Sequence, residues 1–79
     1  MTRVTVLYFA SLRDAAVRDS EVVEHEGDLA ALYGGLRERY GFALPIERVR
    51  VAMDGAFADW RDLPRDGAEV AFIPPVSGG

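Results

Sequence analysis

The sequence lacks two residue types that carry much of protein chemistry. None of its 79 residues is cysteine, so the chain can form neither a disulfide nor a thiolate metal site, and it has no thiol nucleophile. Lysine is also absent, because all nine basic residues are arginine. No lysine side chain of this protein can therefore be acylated, and the α-amino group is the primary amine that remains.

Long apolar runs are missing too, and positive charge is scarce. The hydrophobic stretches are too short to cross a bilayer, and 1–3 leads into a strand pattern rather than a signal peptide. The formal net charge of −4 argues against nucleic acid as the main partner, because phosphate binding needs a basic surface. We expect one small cytoplasmic domain with neither a nucleic acid nor a membrane partner.

Hydrophobic periodicity predicts two helices and five strands. Ser11 followed by Asp14 resembles a capping box that opens a short helix. Gly34–Gly35 interrupts a longer helix, which favours close packing of that helix on a sheet, or a kink. Asp54–Gly55 is typical of a type I′ hairpin turn. The predicted helices cover 11–18 and 29–40, and the predicted strands cover 2–9, 19–26, 47–53, 56–60 and 68–73.

This order of elements is typical of an α+β domain with one main helix packed on one face of a mixed five-stranded sheet. The first and last strands are rich in β-branched and aromatic residues, so we expect them to pair in the middle of the sheet. That arrangement is a β-grasp, ubiquitin-like fold. We expect the domain to span 1–74 and a flexible tail to span 75–79.

Alternation along the strands assigns the apolar residues to two faces of the sheet. One set faces the helix: Val4, Val6, Tyr8, Val49, Val51, Met53, Val70 and Phe72. A second set turns away from it near the tail, and a domain this small has no second layer to cover it. We name this second set the outer patch and predict that it binds a partner; it comprises Leu7, Phe9, Phe57, Ala71 and Ile73.

The sequence closes on Pro74–Pro75 and then Val76, Ser77, Gly78 and Gly79. Two glycines without Cβ atoms allow a backbone to lie close to the wall of another protein. A terminal carboxylate is inert until it is activated, for instance as an acyl-adenylate, and can then become a thiocarboxylate, a thioester or an amide. We therefore expect Gly79 to carry an acyl group and Gly78 to share that role.

Other candidate chemistry is thin. His25 stands alone between Glu24 and Glu26, which indicates a surface histidine rather than a catalytic one, and the carboxylates read as a solvated surface. The residue pattern predicts no metal site. No phosphate-binding glycine loop is present, so this chain is expected to bind no cofactor, and any ATP must be used by a partner.

Two segments resemble a known family, the small, sulfur-carrying subunits of molybdopterin synthase. The opening segment is Val4-Thr5-Val6-Leu7-Tyr8-Phe9-Ala10-Ser11-Leu12-Arg13-Asp14, and the closing one runs from Gly67 through Pro74-Pro75-Val76-Ser77-Gly78-Gly79. The resemblance spans the whole chain and implies a β-grasp fold. The departures, Asp54–Gly55, Gly67-Ala68-Glu69 and no glycine near Arg18, fall at turns and leave the tail intact.

The resemblance also implies a two-stage cycle. An adenylyltransferase related to ubiquitin activators would adenylate Gly79, and sulfur from a persulfide donor would convert it to a thiocarboxylate. The small subunit would then dock on the large synthase subunit, which places the sulfur beside a cyclic pyranopterin precursor to build a dithiolene. In this family the tail is inserted into the partner. By this analogy the partner-facing residues are Phe9, Arg13, Ile73, Pro75, Val76 and Ser77.

Two other functions remain open from the sequence. Sulfur carriers for thiamine or cysteine synthesis share the fold and the terminal glycines, although the Pro-Pro-Val-Ser-Gly-Gly tail favours molybdopterin synthase. A ubiquitin-like modifier or passive binding module is the alternative from another class. The resemblance would make the chain a subunit of an enzyme, with no independent active site of its own.

Overall fold

The structure is a computed structural model that describes residues 1–75. Within that range the chain forms a mixed sheet with two α-helices and one 3₁₀ turn. The order is β1 (Thr2–Tyr8), α1 (Ala10–Ala16), β2 (Ser20–His25), α2 (Leu29–Tyr40), a 3₁₀ turn (Ile46–Arg48), β3 (Arg50–Met53), β4 (Ala56–Phe57) and β5 (Glu69–Ile73).

The five strands lie in the order β2-β1-β5-β3-β4. β1 and β5 pair in parallel in the middle of the sheet, with Val6 opposite Val70, and the other pairings are antiparallel. A central parallel pair made from the first and last strands, with a helix across one face, is the β-grasp arrangement. The predicted fold class is confirmed.

Helix α2 covers the inner face of the sheet and closes the core. The helix contributes Tyr33 to the core, and the ring of Tyr33 lies 5.2 Å from that of Phe72 on β5. Trp60 stacks on Phe72 at 5.9 Å, and its ring lies 5.6 Å from that of Tyr33. Of the eight residues predicted to face the helix, seven are buried and Met53 is half-buried. The predicted inner face is therefore correct.

Both ends of α2 match the sequence prediction because each has a clear capping signal. The side chain of Asp28 accepts a hydrogen bond from the Ala31 amide at 2.8 Å, which satisfies a donor of the first turn. Gly41 ends the helix with φ of 72°, a left-handed conformation that suits glycine. At the hairpin, Asp54 and Gly55 both have positive φ, as a type I′ turn requires.

The prediction that Gly34–Gly35 allows close packing of the helix on the sheet is wrong. A Cβ atom added at either position would meet nothing within 4 Å, so neither glycine permits a close approach to the sheet. Both residues are exposed, on the side of α2 that faces away from the core.

Helix α1 begins and ends differently from the prediction. It begins at Ala10, and Phe9 rather than Ser11 is its N-cap, without a side-chain hydrogen bond. The Phe9 carbonyl already accepts from the Leu12 amide at 3.0 Å, so the chain turns as soon as β1 ends. The helix ends at Ala16, and the exposed Val17 takes the left-handed C-cap conformation with φ of 57°.

Strands β3 and β4 are shorter than predicted. β3 begins at Arg50, because the amides of Arg48 and Val49 bond to the carbonyls of Pro45 and Ile46 in the 3₁₀ turn and not to a strand. β4 ends at Phe57 rather than at position 60. A turn follows, in which the Arg61 amide donates to Asp59 at 2.8 Å, and it brings Trp60 over the core.

Candidate functional site at the outer sheet face and tail root

Strand β5 fixes the point from which the tail leaves the domain. It lies between β1 and β3 and is hydrogen-bonded to both, with Tyr8 and Val51 opposite Phe72. After Ile73 the chain continues through the half-buried Pro74 to the exposed Pro75. Because the proline ring fixes φ, these two residues stiffen the exit. The root of the tail is therefore held in the centre of the sheet.

The outer face beside this root carries a continuous row of side chains across all five strands. Strand register places Ser20, Leu7, Ala71, Ala52 and Phe57 side by side, one from each strand. Leu7 and Ala71 are half-buried, and Phe57 is 65% exposed. Since a strand alternates its side chains, Ile73 faces the same way one step closer to the tail. The structure thus brings four members of the outer patch onto one face.

Phe9 and Arg13 lie at the same end of the sheet, Arg13 on the predicted helix and Phe9 just beyond the strand to which it was assigned. Phe9 follows β1 as the N-cap of α1, and its side chain is 46% exposed. Arg13, on α1, is exposed and lies 3.8 Å from the Asp19 carboxylate. An exposed ion pair of this kind contributes little to stability, so the guanidinium is available to a partner. Val76, Ser77, Gly78 and Gly79 lie outside the described residues.

A partly buried cluster of one carboxylate and two tyrosine hydroxyls on the inner side escaped the sequence analysis, which predicted that the carboxylates form a solvated surface. Glu21 on β2 accepts hydrogen bonds from the hydroxyls of Tyr8 and Tyr40, each at 2.6 Å, and its side chain is only 10% exposed. Arg18 lies 3.3 Å from the same carboxylate. The signal was alternation along β2, which places Glu21 on the inner face with Val23.

The hydrogen bonds determine how this cluster is ionised. Burial alone would raise the pKa of Glu21, but the bonds from Tyr40 and Tyr8 and the charge of Arg18 outweigh it and hold that pKa below its ordinary value. Burial and the bond to Glu21 raise the pKa of Tyr8 far above its usual range, and the bond to Glu21 also raises the pKa of Tyr40. The cluster is one carboxylate held by two neutral phenols at neutral pH.

His25 is half-buried rather than a surface residue, and its Nε2 lies 3.0 Å from the Asp28 carbonyl oxygen at the start of α2. That contact gives it a structural role at a helix terminus. Residues 1–75 hold no group of three or more metal-ligating side chains. No helix in the same range is long and apolar enough to cross a bilayer.

Comparison with known proteins places this geometry in a family. The family model described as ThiS family matches residues 6–79. The chain belongs to the ThiS family. It is also 35% identical, over the full length of both chains, to the molybdopterin synthase sulfur carrier subunit of Mycobacterium tuberculosis. The resemblance drawn from the opening and closing segments is confirmed.

Solved structures agree with the family fold. The putative molybdopterin converting factor subunit 1 of Pyrococcus furiosus superposes with a TM-score of 0.80 at 26% identity, covering 96% of this chain and 100% of that one. Small archaeal modifier protein 1 of Haloferax volcanii gives 0.80 at 21% identity, with the same coverage. The complex of subunits 1 and 2 of the Helicobacter pylori molybdopterin-converting factor gives 0.69 at 24% identity, covering 99% and 100%. The latter two likenesses bear on the fold alone.

Proposed function

We propose that this protein is the sulfur-carrying small subunit of a molybdopterin synthase. The observation that carries the proposal is the 35% identity to the mycobacterial sulfur carrier subunit over all of both chains. The family match extends through the two terminal glycines, which gives the proposal a reacting group. The absence of cysteine from the sequence means that sulfur must come from outside the chain and be attached to it.

The proposed cycle uses Gly79 as a tethered carrier. A separate adenylyltransferase joins the Gly79 carboxylate to the AMP part of ATP and releases pyrophosphate, which converts a poor leaving group into a good one. The terminal sulfur of a donor protein's persulfide attacks the acyl-adenylate and displaces AMP, which gives an acyl disulfide. A second thiol of the donor machinery then cleaves the S–S bond, so that the thiocarboxylate is released and a disulfide is left behind. This acyl sulfur is ionised at neutral pH and acts as the nucleophile toward the cyclic pyranopterin precursor, in which two transfers build the dithiolene.

The geometry of the tail root suits delivery of that group into another protein. The stiff Pro74–Pro75 step leaves the centre of the sheet beside the outer patch, so a partner that covers the patch also receives the tail. Five residues, 75–79, reach about 16 Å when extended, far enough to enter a buried site. We expect Gly78, which has no Cβ, to occupy the narrowest part of the channel through which the tail enters that site.

The proposed partners are a large synthase subunit, an adenylyltransferase and a sulfur donor. The complex of subunits 1 and 2 from Helicobacter pylori supports the first, since one chain of that complex shares this fold. The outer patch supports docking in general, because contiguous exposed apolar surface on a small domain marks a partner site.

Intact-mass spectrometry tests the carrier role. The purified protein is incubated with the adenylyltransferase, ATP and a sulfur donor from the same organism, and we expect one oxygen to be replaced by sulfur on the C-terminal residue. A variant that lacks Gly79 is the control and is expected to show no such change. An identical mass change in that variant would contradict the proposal.

A second measurement separates the open functions. Addition of the large subunit and the pterin precursor to the thiocarboxylated protein should yield molybdopterin. A carrier for thiamine or cysteine synthesis would be thiocarboxylated but inactive in that assay, whereas a modifier would form amide links to lysines of other proteins.

Gly78→Val should block product formation without changing thermal melting, because a β-branched side chain would not pass a narrow channel.

A further inference from the structure

Arg50 occupies a position on the outer face that the family resemblance does not explain. It is the first residue of β3, and strand register places it directly opposite Ile73 at the root of the tail. Its guanidinium carbon lies 4.3 Å from the ring centroid of Phe57, within the range of a cation–π contact. Arg50 therefore lies over one member of the outer patch and beside another.

The guanidinium of Arg50 has unused hydrogen-bonding capacity. Among residues 1–75, four salt bridges join arginines to carboxylates, and none of them involves Arg50. A guanidinium has five N–H donors and stays charged at any physiological pH. A partner that covers Phe57 and Ile73 also removes water from this group. Burial of an unpaired charge is strongly unfavourable, so a partner that binds tightly must supply an acceptor, and a carboxylate fits the planar fork best.

The charges of the whole domain favour the same kind of partner. Strand and helix directions divide the molecule into a tail end and an opposite end. The tail end carries six of the nine arginines but only five of the thirteen acidic residues, so its side chains sum to +1 while those of the opposite end sum to −5. The six arginines are Arg13, Arg18, Arg37, Arg39, Arg48 and Arg50.

This distribution orients the molecule in an external field. The terminal carboxylate of Gly79 offsets the +1 of the tail-end side chains, so an acidic surface repels this domain of net charge −4 almost entirely through its opposite end. Complementary fields raise the rate of encounter and select the correct face. The charge separation would therefore present the tail first to an acidic partner surface and the opposite end first to a basic one.

We propose that the protein that receives the tail has an acidic docking surface and places a carboxylate side chain against Arg50, beside the pocket that accepts Phe57. The inference rests on the proposed function, which identifies that protein as a large synthase subunit. Arg50 is thus a specificity-determining residue that selects the partner and its orientation, and it takes no part in the chemistry at Gly79.

The test compares four forms of the full chain for binding to the large synthase subunit of the same organism. Arg50→Glu reverses the charge, and Arg50→Leu removes it while keeping an apolar side chain against Phe57. Arg61→Glu is the matched control, because it makes the same change in net charge at an exposed position of the opposite end. Association and dissociation rates are measured at low and high salt, and thermal melting verifies the fold of each form.

We expect Arg50→Glu to weaken binding about tenfold or more at low salt, with much of the loss in the association rate, and Arg50→Leu to weaken it less. The loss in association rate should shrink at about 1 M salt, where the Debye length falls to roughly 3 Å. Arg61→Glu should bind within about twofold of the wild type.

The inference would be overturned if Arg50→Leu bound as tightly as the wild type, or if Arg50→Glu and Arg61→Glu weakened binding equally. A loss for Arg50→Glu that is the same at all salt concentrations would also overturn it, because packing rather than charge would then explain the loss. Failure of the wild-type protein to bind the large subunit is a different result, and it would count against the proposed function.

Discussion

Glu21 joins the edge strand β2 to both the middle of the sheet and the end of α2. Its carboxylate accepts from Tyr8, which is on β1, and from Tyr40, which is the last residue of α2. Because the folded-state pKa of Glu21 lies below its ordinary value of 4.5, the ionised form is stabilised by folding. Its contribution to stability is fully present above the unfolded-state pKa and is lost as the pH falls through the folded-state pKa.

Glu21→Gln is therefore expected to be less stable than the wild type at pH 7 by about 1–2 kcal/mol, because a neutral amide accepts more weakly from the two hydroxyls. The difference should narrow as the pH falls below 4.5, where the wild-type carboxylate also becomes neutral. Urea denaturation at a series of pH values measures both effects. Glu24→Gln is the control on the same strand: its carboxylate is exposed and lies 3.7 Å from Arg3, so its loss should cost less than about 0.5 kcal/mol. A pH-independent difference for Glu21→Gln would contradict this account.

Helix α2 has two glycines where its packing requires none. Gly34→Ala and Gly35→Ala should each stabilise the domain by up to about 1 kcal/mol, because alanine restricts the unfolded chain and its Cβ meets open space. Gly41→Ala is a matched control, since its Cβ would also meet open space but its φ is 72°. There we expect a loss of roughly 1 kcal/mol, because a left-handed conformation is strained for alanine. Chemical denaturation of the three variants measures these changes, and destabilisation by Gly34→Ala would show that the helix is packed differently.

At the level of elements, the sequence predicts α2 well and the short strands poorly. The bounds of α2 follow from local signals, since Asp28 caps its start and Gly41 ends it. The 3₁₀ turn before β3 and the turn after β4 depend on distant packing. Trp60, for example, leaves the strand to stack on Phe72, which belongs to a strand twelve residues later. Alternation alone cannot reveal such a contact.

At the scale of the whole molecule, the outer patch should act as one docking surface. Phe9→Asp and Ile73→Asp should each lower the affinity for the large subunit about tenfold or more, because apolar anchors at an interface carry much of its binding energy. The melting temperature of Phe9→Asp should stay close to that of the wild type, as its side chain is 46% exposed. Phe72→Ala provides the contrast: this ring is fully buried, and its truncation should cost about 3–5 kcal/mol of stability. Titration calorimetry paired with melting curves checks both. Unchanged affinity together with lost stability for Phe9→Asp would place Phe9 in the core.

The sequence predicted the part of the candidate site in which apolar and polar side chains alternate along a strand. Leu7, Ala71 and Ile73 were placed on the outer face because β1 and β5 alternate regularly. Arg50 was not identified, since its contact with Phe57 arises only when the hairpin brings β4 beside β3. The bonds of Glu21 likewise join residues 13 and 19 positions apart, beyond the reach of any local pattern.

The parallel pairing of β1 with β5 has a consequence for synthesis of the protein. Residues 69–73 are synthesised almost last, and the middle of the sheet stays open until they are present. The core therefore cannot close during most of the synthesis of the chain. Pairing of the last strand is thus a late step of folding. The row of side chains across the five strands of the outer face is incomplete in a chain that lacks β5. If the proposed adenylyltransferase binds this row, it would act on completed chains alone, because a chain without β5 lacks Ala71 and Ile73.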